Sequence, residues 1–400
     1  MAIKIKSTEL RLGMYIEKLG GSWIQHPFIR SSFLLEDSND IKSILEAGIK
    51  DLWIDEKKGL PRAPLAVSEK LPENGPDFTP VSTSISKQEI SDSMDVEVDR
   101  ARKFCSAAKE QVKLMYDDVR LGNAIDSTII LPLIGEIDSM VQRNSSAILS
   151  VARLKTHDDY TYMHSVAVCA LMLSLAHQLN LDEEQTRLAG IGGLMHDLGK
   201  ALISVDILNK SGKLTDDEFI SVKNHPEAGA KVLNENGADP EVVDIALHHH
   251  EKVNGGGYPH GLVGENISFL ARMSAICDVY DAVTSQRAYK KPWDPSNAIQ
   301  AMSQWDGHFD KKIFSAFVKT VGIYPVGSLV RLSSKRLAVV IEPGKESLLK
   351  PKIKVFFSLI ANAHIPIQIV DLAAASCKIT IEGPENPEKW GFKPLDHLWQ

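Results

Sequence analysis

Residues 188–200 read Leu-Ala-Gly-Ile-Gly-Gly-Leu-Met-His-Asp-Leu-Gly-Lys. The stretch has the apolar pattern of a buried helix and runs into the adjacent pair His196–Asp197. No strand-like run precedes the glycines, so we interpret them as sites of close helix packing and not as a dinucleotide-binding loop. A histidine beside a carboxylate is a candidate pair of metal ligands. Lys200 reaches the same site either along the helix face or from the turn at Gly199.

Further histidines lie on both sides of this stretch, and nine of the thirteen fall between His157 and His260. In helix bundles, side chains from facing helices converge to form metal sites. Imidazole and carboxylate ligands without thiolate suit Fe, Mn, Zn, Co or Ni more than Mg or Ca. Metal ions lower the pKa of bound water and so supply a nucleophile at neutral pH, and one carboxylate can bridge two ions. The candidate ligands on five helical segments are His164, His196, Asp197, His225, His249, His250 and Asp278.

Other features of the sequence have an ordinary structural interpretation. A single histidine on an apolar helix or at a surface is more often a packed or solvated residue than a ligand. We therefore assign no chemistry to His26, His177, His308, His364 and His397. The glycine run at 255–257 has two interpretations, a flexible loop or a loop whose backbone approaches a ligand closely.

The composition excludes several classes of protein. Of the 400 residues, 44% are hydrophobic and 24% are charged, which is typical of globular proteins and not of fibrous or disordered ones. The formal net charge is -7, so we expect no duplex nucleic-acid partner. The four cysteines form no CxxC pair, which argues against a disulfide framework or a thiolate zinc site and fits a reducing cytosol.

No segment predicts insertion into a membrane. The N-terminus lacks the apolar run that a signal peptide needs. The longest uncharged stretch, residues 165–176, is about half the ~20 residues of a spanning helix, and we interpret it as a buried core helix. We therefore expect a soluble, cytoplasmic protein.

Changes of period and composition divide the chain into five segments. Residues 1–58 carry short strand-like runs around one helix, and residues 59–90 contain five prolines and have the character of a linker. Residues 91–149 form a helical connector that begins with a long amphipathic helix over 91–122. Residues 150–325 are helical, and residues 326–400 alternate β-rich runs with turns. The predicted fold class is mainly α, a helical bundle with a small α/β N-terminal domain and a β-rich C-terminal extension.

At three separate places the sequence resembles the HD-GYP family, a branch of the HD metal-dependent phosphohydrolases. Residues 196–200 (His-Asp-Leu-Gly-Lys) match its HD segment, and residues 249–259 (His-His-Glu-Lys-Val-Asn-Gly-Gly-Gly-Tyr-Pro) match its HHExxxGxGYP signature. Residues 278–290 match the helix that supplies the last metal carboxylate and then basic residues. The resemblance covers about residues 150–325. Residues 1–58 are similar to the small N-terminal domain of unknown function that often precedes this domain in bacterial proteins.

The resemblance implies a helical HD-type phosphodiesterase of bacterial second-messenger signalling. Its substrate would be a cyclic dinucleotide, chiefly cyclic di-GMP, hydrolysed to linear pGpG and sometimes on to GMP. The implied cofactors are two divalent transition-metal ions, Fe or Mn before Zn, Co or Ni, held by the seven candidate ligands with Asp197 as the bridge. Lys200 would contact the scissile phosphate. The remaining implied substrate contacts are Asp158, Tyr258, Arg287 and Lys290.

The sequence departs from the family pattern in two respects. Some members bind a third metal through a glutamate four residues before the first histidine ligand, where this sequence has Tyr160, so we expect two metals. Asn254 and Gly256 differ from the residues that are frequent in the GYP loop. Neither is a metal ligand, so this difference concerns loop contacts and not catalysis.

Two functional alternatives stay open. One is hydrolysis of 3′3′-cyclic GMP–AMP, because the named motifs do not contain the residues that separate guanine from adenine. The other is a catalytically weak effector that binds a cyclic dinucleotide, which we would expect to lack metal ligands, whereas all seven positions carry competent side chains. A homodimer or a signalling partner would bind through the N-terminal domain or the 91–122 helix, although that helix equally fits packing on its own domain.

Overall fold

The computed structural model divides the chain into two compact units, residues 1–90 with 126–128, and the remainder. Residues 61–90 of the predicted linker lie outside the described residues. The structure describes residues 2–19, 33–35, 41, 44–45, 50–60, 94–155, 160–208, 210, 212–285, 292–344, 347–392 and 395–399.

The first unit is built on an antiparallel four-stranded sheet with the order β1-β4-β2-β3. Its strands are β1 (Ala2–Lys6), β2 (Tyr15–Leu19), β3 (Phe33–Leu34) and β4 (Asp51–Asp55). Alternate side chains point to opposite faces, so Leu52 and Ile54 of β4 are buried while their neighbours are half-buried. Together with residues such as Met14, Ile16 and Leu35 they form a small apolar core. Strands β2, β3 and β4 coincide with the strand-like runs at residues 14–17, 33–35 and 52–54 of the sequence. Strand β1 does not correspond to any of these runs.

The second unit is mainly helical. Its helices are α1 (Met94–Arg120), α2 (Ser127–Ala152), α3 (Tyr160–Gln178), α4 (Glu183–Met195), α5 (Val205–Leu208), α6 (Asp216–Lys223), α7 (His225–Glu235), α8 (Pro240–His248), α9 (Phe269–Thr284), α10 (Pro295–Ser303) and α11 (Lys311–Val321). A 3₁₀ helix over Leu198–Leu202 follows α4. The predicted amphipathic helix over 91–122 is α1.

Helix α3 is the centre of the bundle, because every residue from Met163 to Ala176 is buried. This confirms that the uncharged stretch over 165–176 is a core helix. Helix α4 packs closely on its neighbours through its glycines. A Cβ atom at Gly193 would lie 2.9 Å from the Cα of Cys169 in α3, and one at Gly192 would lie 2.2 Å from Ile245 in α8. The glycines therefore serve helix packing, as predicted. None of the helices in the described ranges is long and apolar enough to cross a membrane.

The C-terminal part of this unit is an antiparallel five-stranded sheet with the order β8-β7-β6-β5-β9. Its strands are β5 (Leu329–Leu332), β6 (Arg336–Glu342), β7 (Lys352–Ser358), β8 (Ala363–Asp371) and β9 (Ile381–Pro384). Asp294, which caps α10, also accepts a hydrogen bond from the backbone N–H of Leu329 at 3.3 Å. Arg153 donates to the carbonyl of Val326 at 3.1 Å. The sheet is therefore joined to the bundle by hydrogen bonds, and the fold is the predicted mainly α bundle with β-containing flanks.

Candidate metal centre

Seven histidine and aspartate side chains from separate helices meet inside the bundle. His164 lies on α3, His225 begins α7, and Asp278 lies on α9. The pairs 196–197 and 249–250 follow the ends of α4 and α8. All are buried except His250, whose side chain is 22% exposed. The structure therefore brings together all seven residues that the sequence nominated.

The seven residues form two groups of closely spaced ligand atoms, each within 4.8 Å of one another. One group is Asp197, His225, His249 and His250, and the other is His164, His196 and Asp278. Asp197 also faces the second group, because its Oδ2 lies 3.4 Å from the Nε2 atoms of both His164 and His196. Its Oδ1 lies 3.1 Å from the Nε2 of His225. One carboxylate therefore presents a different oxygen to each group.

Backbone carbonyls orient three of the imidazoles. The Nδ1 atom of each ring lies within hydrogen-bond distance of the carbonyl three residues earlier: 2.9 Å for His196, 2.6 Å for His225 and 2.9 Å for His249. A carbonyl only accepts, so each Nδ1 carries the proton and each Nε2 presents a lone pair to the centre. Such contacts fix the tautomer and the ring orientation of metal-binding histidines.

The atoms at the centre fit a bound metal. The Nε2 atoms of His225 and His249 lie 3.2 Å apart although both present lone pairs, an arrangement that a cation between them stabilises. Within the part of the chain that the structure describes, the buried Nε2 of His196 and Oδ1 of Asp197 make no hydrogen bond. Buried polar atoms without a partner are rare and costly, and a metal ion would satisfy both. The His/Asp cluster can therefore bind metal ions.

A buried ion pair supports His164 from the side away from the centre. Its Nδ1 lies 2.6 Å from Oδ2 of Asp281, and the ammonium of Lys155 contacts the same carboxylate. Although burial raises the pKa of Asp281, Lys155 and His164 hold it below its ordinary value. The ionised carboxylate accepts a hydrogen bond from Nδ1–H and leaves the Nε2 lone pair for the centre. Neither Lys155 nor Asp281 has a role predicted from the sequence, although Asp281 lies one turn after Asp278 on the same helix face.

The protonation states also suit metal binding. Burial alone would raise the pKa of Asp197, but Lys200 and His196 hold it well below its ordinary value. Burial lowers the pKa of His250 to about 3, and lowers that of His249 well below its ordinary value. Metal ions bind the ionised carboxylate and the neutral imidazole, so these groups do not have to lose protons near neutral pH.

Lys200 lies in the 3₁₀ helix after the HD pair and turns back to the centre. Its Nζ donates to Oδ2 of Asp197 at 2.5 Å, and its side chain is 20% exposed. Glycines allow this segment to approach α7, because a Cβ atom at Gly199 would lie 1.9 Å from the carbonyl oxygen of His225. Gly229 lies on the other side of this contact, and a Cβ there would lie 2.9 Å from the amide nitrogen of Gly199. The backbone contact places Asp197 next to His225.

The loop after α8 carries the remaining motif to the edge of the centre. Glu251 is buried, and its carboxylate accepts hydrogen bonds from the backbone N–H groups of His260 at 2.7 Å and Leu262 at 3.1 Å. A Cβ atom at Gly257 would lie 2.4 Å from the Cα of Glu251, so the glycine lets the loop fold over this carboxylate. Half-buried Tyr258 then lies with its ring centroid 4.8 Å from that of His250. The glycine run therefore serves a closely folded loop.

Three predicted substrate contacts, Asp158, Arg287 and Lys290, lie outside the described residues. Tyr160, at the position where some family members have a glutamate, stacks on His164 with ring centroids 5.5 Å apart. His177 is one of the histidines to which we assign no chemistry. Its Nε2 lies 2.5 Å from Oδ1 of Asp138 at the surface.

Comparisons with known proteins agree with this geometry. A sequence family described as an HD domain matches residues 139–313, and one described as a domain of unknown function, DUF3391, matches residues 2–128. The cyclic di-GMP phosphodiesterase PA4108 of Pseudomonas aeruginosa is 48% identical, and the match covers 100% of this chain and 96% of that protein.

Shorter matches concern the bundle. The cyclic di-GMP phosphodiesterase response regulator RpfG of Xanthomonas campestris pv. campestris is 39% identical over 36% of this chain and 39% of its own length. The 3′3′-cGAMP-specific phosphodiesterase 2 of Vibrio cholerae is 36% identical over 38% of this chain and 30% of its own length. The chain has a two-group His/Asp centre and a GYP loop, and one relative is similar to it over nearly the full length. It therefore belongs to the HD-GYP family of HD-domain phosphodiesterases.

Proposed function

We propose that this protein is a metal-dependent phosphodiesterase that hydrolyses cyclic di-GMP to linear pGpG. The observation that carries the proposal is the position of Asp197 between two groups of ligand atoms, with one carboxylate oxygen toward each. Two-metal sites of this kind are typical of enzymes that cleave phosphate esters. The choice of cyclic di-GMP rests on the 48% identical relative from Pseudomonas aeruginosa, which is named a cyclic di-GMP phosphodiesterase.

The site would hold two divalent ions, one in each group, with Asp197 as the shared ligand. When bound, the ions supply a nucleophile from water at neutral pH and stabilise charge on the phosphoryl oxygens. The mixed imidazole and carboxylate donors suit Fe, Mn, Zn, Co or Ni, and the family resemblance favours Fe or Mn among these. Tyr160 stacks on His164 and offers no carboxylate for a third ion.

The protein's own residues then act on the substrate. Lys200 is partly exposed beside Asp197, so its ammonium is available to a phosphoryl oxygen of the scissile phosphate. Stabilising the charge that develops there is the main task of a protein in phosphoryl transfer. Tyr258 lies beside His250 at the edge of the centre, where its ring can contact a nucleobase. For Asp158, Arg287 and Lys290, the substrate contacts remain a proposal from the family resemblance.

The segments of the chain receive proposed roles as well. Residues 150–325 are the catalytic domain, residues 91–149 connect it to the preceding segment, and residues 326–400 are an extension that packs on it. Residues 1–58 are a regulatory or docking domain joined by the 59–90 linker. The division of the chain into two compact units supports the separation of the N-terminal domain from the rest. A homodimer or a signalling partner would bind at the N-terminal domain or at α1.

The experiment that tests the function measures metal content and turnover on the same protein. We expect about two transition-metal ions per chain after purification without chelator, and release of pGpG from cyclic di-GMP that a chelator abolishes. A metal content near three would contradict the two-ion centre. Absence of hydrolysis by the metal-loaded protein would contradict the enzymatic function and favour an effector that only binds the dinucleotide.

Hydrolysis of 3′3′-cyclic GMP–AMP is the second candidate, because a relative from Vibrio cholerae with 36% identity is specific for that dinucleotide by name. The turnover experiment therefore includes both dinucleotides. We expect kcat/KM to be higher for cyclic di-GMP, and the reverse order would assign this second function.

A further inference from the structure

We propose that Lys223 binds the phosphate of the substrate that is not being cleaved, a role that rests on the proposed function. The Nζ of Lys223 lies over the ring of Tyr258, 5.0 Å from its centroid. The same ring lies 4.8 Å from the ring of His250, which belongs to the metal-binding cluster. An ammonium group is therefore held one aromatic ring away from the metal ligands.

The environment of Lys223 leaves its charge available. Among the residues that the structure describes, no carboxylate lies within salt-bridge distance of its ammonium, whereas Lys200 and Lys210 are both paired with acids. The lysine is the last residue of α6, and none of the residues of that helix is buried. The helix is instead held by a capping box between Thr215 and Glu218, and by Lys210 on Glu218. Packing in the core therefore does not account for the position of Lys223.

The backbone around Lys223 ties it to the centre. Its neighbour Val222 supplies the carbonyl that accepts from Nδ1 of His225, at 2.6 Å. The segment that orients a metal ligand therefore also carries the free ammonium to the edge of the site. A cation at the C-terminal end of a helix is also favoured by the helix dipole, so a purely structural role is the alternative to exclude.

The chemistry of a cyclic dinucleotide favours a cation at such a place. Its two phosphates face each other across one macrocycle, and only one of them can be at the metal ions during a reaction. The second phosphate keeps its negative charge and lies away from the ions. A lysine at the rim of the centre pairs with it, and Lys binds phosphate as a flexible point charge.

The test compares Lys223→Met with Lys223→Arg and with a control variant, Lys231→Met. Lys231 lies on α7 with a side chain that is 75% exposed, so the control removes one positive charge from the same region. The readout is the Kd of the metal-loaded protein for a hydrolysis-resistant phosphorothioate analogue of cyclic di-GMP, and for GMP, which has a single phosphate. Bound metal is measured on each variant.

We expect Lys223→Met to weaken binding of the analogue about tenfold with metal content retained, because a hydrogen bond to a charged group is lost. The ratio of the Kd for the analogue to the Kd for GMP should change by a similar factor. Lys223→Arg should restore this ratio, and Lys231→Met should leave it within about twofold of wild type. An unchanged ratio overturns the proposal, since a structural role would weaken both ligands alike. If wild type binds the analogue but does not hydrolyse cyclic di-GMP, the enzymatic function fails, while the comparison of the variants still decides the role of Lys223.

Discussion

The two carboxylate oxygens of Asp197 contact different side chains at the centre. Oδ2 accepts from Lys200 at 2.5 Å and faces His164 and His196, whereas Oδ1 faces the imidazole of His225 at 3.1 Å. Substitution of Asp197 therefore affects both ligand groups at once, while substitution of Lys200 removes only a charge beside them. The two residues are adjacent in the site but differ in what their loss removes.

We expect Asp197→Ala to lose bound metal and activity together, and Lys200→Ala to retain metal while turnover of cyclic di-GMP falls about a hundredfold, the usual cost of one charge-stabilising contact. Elemental analysis and steady-state kinetics on both variants check this. Full turnover by Lys200→Ala would show that the lysine does not act on the phosphate.

The ion pair of Lys155 and Asp281 permits a sharper test at the same scale. Asp281→Asn removes the charged acceptor of His164 and the carboxylate that the buried ammonium of Lys155 contacts. We expect metal affinity to fall by about 10–100-fold, and the free energy of unfolding to fall by roughly 3 kcal/mol or more. Chelator competition and urea unfolding measure the two effects.

The double variant Asp281→Asn/Lys155→Met is the matched control, because it also removes the buried positive charge of Lys155 but does not restore the charged acceptor of His164. It should regain most of the stability and none of the metal affinity. If metal affinity returns as well, the effect of Asp281 on the centre acts through stability alone.

At the scale of elements, one backbone contact holds the segment after α4 against α7. A Cβ at Gly199 would meet the carbonyl of His225 and the amide nitrogen of Gly229, and neither backbone atom can rotate away. We expect Gly199→Ala to lower the free energy of unfolding by about 3 kcal/mol and to weaken metal binding, because Asp197 and His225 are forced apart.

Gly135→Ala on the exposed side of α2 is the control, since nothing lies within 4 Å of a Cβ there. It should raise the free energy of unfolding by about 0.5–1 kcal/mol. Urea unfolding and metal analysis check both variants. Equal free energies of unfolding for Gly199→Ala and Gly135→Ala would mean that α7 moves away from residue 199 without an energetic cost.

The junction between the bundle and the C-terminal sheet predicts a pH dependence. Burial raises the pKa of Asp294 to about 6, although it accepts N–H groups at the start of α10 and from Leu329, and although Arg153 lies nearby. The folded state therefore binds this proton more tightly than the unfolded chain, whose carboxyl has a pKa near 3.8. The resulting stabilisation is complete below about pH 4 and is lost as the pH rises through about 6.

We expect the free energies of unfolding of wild type and Asp294→Asn to differ in slope between about pH 4 and 6, because the amide does not titrate. Wild type should lose stability relative to the variant as the pH rises. Urea unfolding over this range measures both, and parallel curves would contradict the raised pKa.

At the scale of the whole molecule, the metal centre is also a structural element. Its side chains lie on α3, α7 and α9 or directly follow α4 and α8, so the centre joins five helices. Two of its nitrogen atoms, the Nε2 atoms of His225 and His249, lie only 3.2 Å apart. Ligands that bind only the folded state stabilise it by mass action. We therefore expect a chelator to lower the Tm of the helical unit, and Mn²⁺ to restore it. An unchanged Tm would mean that the ions contribute nothing to the fold.

The sequence by itself determined most of the helices and strands and named the residues that meet in the His/Asp cluster. Local periodicity predicts the buried helix α3 and the amphipathic helix α1, because one face or the whole of a helix must be apolar to be buried. The seven candidate ligands could be named from residue type and order alone, since histidine and aspartate side chains are rarely grouped in helical segments without a function. Glycines in α4 were predicted as packing sites for the same local reason.

Only the tertiary structure decided how these residues act on one another. The division of the candidate ligands into two groups and the placement of one Asp197 oxygen toward each join separate segments of the chain. The support of His164 by Lys155 and Asp281 joins positions more than 100 residues apart. Such contacts depend on the packing of α3 against α9, which leaves no periodic signal in either segment. The ammonium of Lys223 over Tyr258 is of the same kind, because a loop and a helix end that are distant in sequence meet only when the bundle is folded.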